Sequence, residues 1–166
     1  MSANKMAATA IAALSDPKFT SIPGCCQMFV REVAEASGDP YQSAMDTYRA
    51  GSAVETMINF QPTPYNIWEN VGSADDKPDP GFLLPGDVLY KGRATSGPFG
   101  HTGIFIGTFT LQGQPPLPCV AENSSYHIDP NHMGGVNGAK GIRTLSAFGP
   151  FEMVVRLTET EASAEA

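Results

Sequence analysis

Charge is scarce in this sequence, and positive charge is the scarcer kind. Only 16% of the 166 residues are charged, ten Lys or Arg against seventeen Asp or Glu, for a formal net charge of −7. No cationic excess is available to displace counterions from phosphates, which excludes non-specific nucleic-acid binding. A small uncharged or zwitterionic substrate meets no such obstacle. Low charge beside 42% hydrophobic residues also excludes a disordered chain and predicts a soluble globular protein. No apolar run reaches the roughly 18 residues that would predict a membrane span. Cysteines are few as well: Cys25, Cys26 and Cys119. Their odd number excludes a fully paired disulfide framework, and no C-x-x-C pair points to zinc. Cys25 and Cys26 are adjacent and would close only a strained ring, so at least one thiol is expected to be free. Internal repeats are absent.

What is abundant is glycine and proline, 17 and 14 residues. They predict many turns, short elements and long loops, and argue against a helix bundle. Residues 3–14 read as a first helix ended by Asp16-Pro17. The Ala-rich start with its single Lys5 reads as an amphipathic surface helix rather than an export signal. After the Pro23-Gly24 turn, apolar positions fall at Cys26, Phe29, Val30, Val33 and Ala34, the spacing of a half-buried helix that stops at Ser37-Gly38. Residues 41–58 predict one helix or two short ones broken near Ala50-Gly51. Residues 61–81, rich in Pro, Asn, Asp and Gly, predict a long irregular excursion. Strands are expected at Asp87–Tyr90, His101–Gly107, Pro118–Glu122 and Met153–Leu157. Helices first and antiparallel-looking strands later make the class α+β. A single domain over 1–157 and an acidic, disordered tail over 158–166 complete the expected organisation.

One constellation can carry chemistry. A cysteine in the first turn of a helix sits where the helix N-terminus favours a thiolate, and the free N–H groups beside it can hold an oxyanion. Cys26 has that position; Cys25 falls off the apolar stripe, and a one-residue difference in helix start would exchange them. Taken alone, such a cysteine is more often a core residue. His101 opens a strand between glycines and has the side chain suited to take a thiol proton near neutral pH. A third group should orient the imidazole. Glu122 and Asn123 are the candidates, and because successive strand residues face opposite ways, only one of them can do so.

Four segments carry a resemblance to a known family. Cys26-Gln-Met-Phe-Val30 resembles the nucleophile helix start of NlpC-type peptidases and the related CHAP amidases. Leu84-Pro-Gly-Asp-Val88 resembles their turn into a barrel strand. Gly100-His-Thr-Gly-Ile-Phe-Ile-Gly107 is similar to their histidine strand, and Val120–Ser125 falls where they place the third polar residue. The resemblance spans about residues 6–157. It implies a papain-like NlpC/CHAP fold, with N-terminal helices packed on a small antiparallel β-sheet or barrel. It also implies a cysteine peptidase or amidase that cleaves amide bonds in peptidoglycan stem peptides or cross-bridges. The NlpC branch commonly has Asp before the nucleophile, where Cys25 stands here, and His as the third residue. A Glu or Asn in that place is closer to the CHAP branch; position favours Glu122, and papain-like chemistry leaves Asn123 open. The implied substrate lies outside the cytoplasmic membrane, as for a phage lysin or an enzyme delivered by dedicated export. The alternatives are a catalytically silent phage- or cell-wall-associated module of the same fold, and a cysteine hydrolase acting on a protein or lipid. No cofactor and no metal are expected, and the oligomeric state stays open. His127, Asp129 and His132 are close in sequence but sit in a Pro- and Gly-rich loop without a second ligand set. Trp68, Tyr65 and Phe60 either wall a substrate groove or form a satellite cluster that pins the excursion, the second being the more common arrangement.

Overall fold

The chain is described here by a computed structural model covering residues 5–22, 24–70, 79–93, 99–111, 113–124 and 140–157. Helix α1 (Lys5–Ala13) is followed by α2 (Cys26–Ser37), α3 (Tyr41–Tyr48) and α4 (Ala53–Phe60). Strands β1 (Asn66–Glu69), β2 (Val88–Lys91), β3 (His101–Thr110), β4 (Pro116–Asn123), β5 (Lys140–Thr144) and β6 (Met153–Val155) come after them, with a one-turn helix α5 (Leu145–Phe148) between β5 and β6. The class is α+β. The strands form one antiparallel sheet in the order β1-β6-β2-β3-β4-β5.

Strand alternation divides the core in two. Val88, Tyr90, Ile104, Ile106, Ala121, Ile142, Met153 and Val155 face the helical layer and pack with Met6, Phe29, Val30, Val33 and Met45. Their intervening neighbours Leu89, Phe105, Val120 and Val154 face the other way, onto Leu83, Phe148 and Phe151. Both faces of the central strands are therefore covered, which is why they read as near-continuous apolar runs.

Local chemistry explains the boundaries. Gly38 ends α2 at φ 75, a left-handed conformation that Gly adopts without a Cβ clash. Between α3 and α4 the chain breaks at Arg49–Ser52, where the Ser52 side chain accepts from the Glu55 N–H and caps α4. The Leu84-Pro-Gly-Asp segment is a turn held from within. The buried Asp87 carboxylate accepts from the Leu84 N–H at 2.9 Å, and Arg156 grips both of its oxygens at 2.8 Å.

Within the excursion expected over 61–81, β1 pairs with β6, and a 3-10 turn spans Pro80–Phe82. Residues 71–78, residues 3–4 of the first predicted helix, Pro23, Ser125, the His127–His132 loop and the 158–166 tail lie outside the described residues. No helix among the described residues is long and apolar enough to cross a membrane.

Candidate active site

Cys26 is the first residue of α2, with Cys25 at the N-cap making no side-chain capping hydrogen bond. The amides of the first turn thus have no acceptor within the helix and no side-chain cap from Cys25. The Cys26 side chain packs against the helical core but is only partly buried, and it opens on a cleft of ≈950 Å³. Cys25 and His101 line the same cleft.

His101 is the first residue of β3 and is only 13% exposed. The preceding residue has to be glycine. Gly100 sits at φ +70, and a Cβ there would lie 2.3 Å from the Lys91 carbonyl oxygen. The imidazole is held on several sides. Its Nε2 meets Glu122 Oε1 at 2.5 Å, so Nδ1 is the ring nitrogen left to serve the Cys26 thiol that lines the same cleft. The Phe148 ring covers it at 5.6 Å between centroids. Burial works to lower the imidazole pKa, but the hydrogen bonds to Cys26 and Glu122, with the negative charge of both, outweigh it and raise the pKa to about 9.

Glu122, near the end of β4, is fully buried. Its charge is matched by Arg143 on β5: Nε donates to Oε2, and Nη2 donates to Oε1 at 2.8 Å. The register explains this. Glu122 pairs with Gly141 and Val120 with Arg143, so Arg143 is the diagonal neighbour of Glu122 on the same face. Arg143, Glu122 and His101 thus form one line of polar contacts that ends at the cleft where Cys26 lies.

Asn123 points to the opposite face, as alternation requires. Its Nδ2 donates to the Ile22 carbonyl at 2.8 Å and so ties down the loop that leads into Cys26. Of the two candidates for orienting the imidazole, Glu122 makes the contact and Asn123 does not. Asn123 still reaches the cleft wall.

Three further side chains at the site carry no local sequence signal: Arg143, Phe148 and Lys91. Lys91 pairs with His101 across β2 and β3, donates from Nζ to the Phe148 carbonyl and lies over the Phe148 ring at 4.4 Å. Its pKa is lowered, chiefly by burial and then by Arg143, against the pull of Glu122. Beneath the site, burial drives the Tyr90 phenol far above its ordinary pKa.

The remaining candidates lie elsewhere. Cys119 is buried, its sulfur faces the Phe109 and Leu117 carbonyls, and burial pushes its pKa up. Phe60 and Tyr65 pack with Tyr48, and Trp68 packs on Phe151 at 5.5 Å, so this aromatic set pins the excursion and does not wall the cleft. Among the described residues no group of three His, Cys, Asp or Glu is placed to hold a metal ion.

Set against protein-family models, curated proteins and solved structures, the chain matches none.

Proposed function

We propose that the chain is a papain-like cysteine hydrolase of the NlpC/CHAP kind that cleaves amide bonds in peptidoglycan peptides. The observation that carries this reading is that Cys26 at a helix tip and His101 open on one cleft, with the imidazole Nε2 fixed by the buried Glu122 carboxylate. Each part has a task. His101 takes the proton of the Cys26 thiol, and the sulfur attacks the amide carbonyl carbon. The first-turn N–H groups of α2 receive the oxyanion. The imidazolium gives its proton to the leaving nitrogen as the C–N bond breaks, leaving a thioester on Cys26. Neutral His101 then takes a proton from water, whose oxygen attacks the thioester and releases the carboxylic acid and the thiol. Glu122 keeps the ring in the tautomer and rotation that both steps need.

Mass spectrometry of purified peptidoglycan after digestion tests the assignment. Wild type should release new amine and carboxyl ends, and Cys26→Ala should release none while keeping the wild-type circular dichroism spectrum. Full activity in the variant would refute the assignment.

A further inference from the structure

The cleft runs against the charge of the chain. Four of the ten Lys and Arg, namely Arg31, Arg49, Lys91 and Arg143, line it, and of the seventeen Asp and Glu only Asp46 does so among the described residues. An acidic protein has thus gathered cations around its candidate nucleophile. Two of them are engaged: Arg143 grips Glu122, and Lys91 is bound to the Phe148 carbonyl. The other two, where α2 faces the end of α3, are not used in this way. Arg31 Nε approaches Glu35 only to 3.8 Å, and Arg49 Nε approaches Asp46 only to 3.7 Å, both beyond hydrogen-bond distance. Arg31 Nε is also a buried donor without a hydrogen-bond partner among the described residues. A buried N–H left unpaired is costly, and a planar guanidinium is shaped to meet a carboxylate.

We infer that Arg31 and Arg49 form a subsite for a free carboxylate on the peptide whose amide bond Cys26 attacks. The inference rests on the hydrolase reading of this cleft and adds which peptides it prefers. Arg31 lies five residues beyond Cys26 on α2, more than one helical turn along it, and both side chains line the cleft. The recognised carboxylate is therefore set apart from the attacked carbonyl. Substrates whose carboxylates are amidated lose this contact.

Binding can be measured without turnover in the full chain carrying Cys26→Ala. The probes are an N-acetylated stem tetrapeptide with free carboxylates and the same peptide with its carboxylates amidated, titrated by calorimetry. The free form should bind about tenfold more tightly, the equivalent of one charge-assisted hydrogen bond. Arg31→Gln and Arg49→Gln, each added to Cys26→Ala, should weaken the free form by about tenfold and leave the amidated form unchanged. The preference should also shrink as salt is raised. Both arginines are partly exposed, at 30% and 44%, so folding of the variants is expected and is checked by circular dichroism. Equal binding of the two peptides, no binding of either, or equal weakening of both by the arginine variants would overturn the subsite. If instead the preference holds while the wild-type chain cleaves neither peptide, the subsite stands and the hydrolase reading fails.

Discussion

At the scale of single residues, Cys26 and Glu122 together decide how long His101 keeps its proton. The folded pKa of about 9 lies above the ordinary histidine value of 6.5. A raised pKa means that the contacts of the imidazolium stabilise the fold fully below pH 6.5, and that this stabilisation is lost as pH rises through about 9. In the proposed mechanism the same proton is handed to the leaving nitrogen, so the acylation rate should fall on an alkaline limb near pH 9. Glu122→Gln keeps the shape and removes the charge, so the imidazole pKa drops. The alkaline limb should then move toward neutral pH, and the maximal rate should fall by about 10²-fold, within the range for a general acid–base group. The pH profile of kcat/KM with a synthetic peptide amide reads both effects. A variant with an unmoved alkaline limb would show that Glu122 does not act through His101. Arg143, which neutralises Glu122, could not have been named from sequence. It follows Gly141 and Ile142 in a short segment whose pairing with β4 is fixed only by the fold.

At the scale of elements, the His-Thr-Gly start of β3 is a packing device. A Cβ on Gly103 would sit 2.6 Å from Val120 Cγ1 and 3.1 Å from Phe148 Cε1. The missing side chain lets Phe148 lie against the His101 ring. Gly103→Ala should cost about 1–3 kcal/mol in denaturant unfolding, as overpacking does, and should lower kcat because Phe148 is displaced from the ring. Val120→Ala in the same chain removes the nearest atom and should recover part of the loss. No recovery would place the strain elsewhere. This close approach also marks how far the sequence could be read. Helix α2 was legible, because its apolar spacing and its Gly38 stop are local properties. Strands β2, β3, β4 and β6 were legible because burial on both faces makes them apolar runs. Strands β1 and β5 were not. Asn66-Ile-Trp-Glu69 is a four-residue edge strand inside a Pro- and Asn-rich stretch, and Lys140-Gly-Ile-Arg-Thr144 places a lysine where the core begins. Both are set by pairing with strands distant in sequence. At the site, the pair Cys26 and His101 was readable from position in helix and strand. The choice of Glu122 over Asn123 needed the pleat.

At the scale of the whole molecule, the connection from α1 to α2 is what aims Cys26, and it is held by polar contacts from the far end of the sheet. Lys140 is 1% exposed, and its Nζ donates to the carbonyls of Ala13, Asp16 and Phe19 at 3.0, 2.8 and 3.0 Å. Asn123, its partner across β4 and β5, donates to Ile22 in the same connection. A buried ammonium is costly unless its donors are used, and here each of its three protons has a carbonyl. Lys140→Met keeps the length and apolar stem and strands the three carbonyls. Individual losses of about 1–3 kcal/mol are expected for such groups, softened where water reaches them. The net loss should be about 3 kcal/mol, or roughly 6–12 °C in the melting midpoint of a chain this size. The effect should reach the chemistry, because the freed connection no longer fixes the helix tip. Alkylation of Cys26 by iodoacetamide in the native state should lose its dependence on the His101 proton before the protein unfolds. A Lys140→Met protein that melts like wild type would mean that the apolar contacts of α1 alone hold the connection, and that the sheet edge has no part in aiming the sulfur.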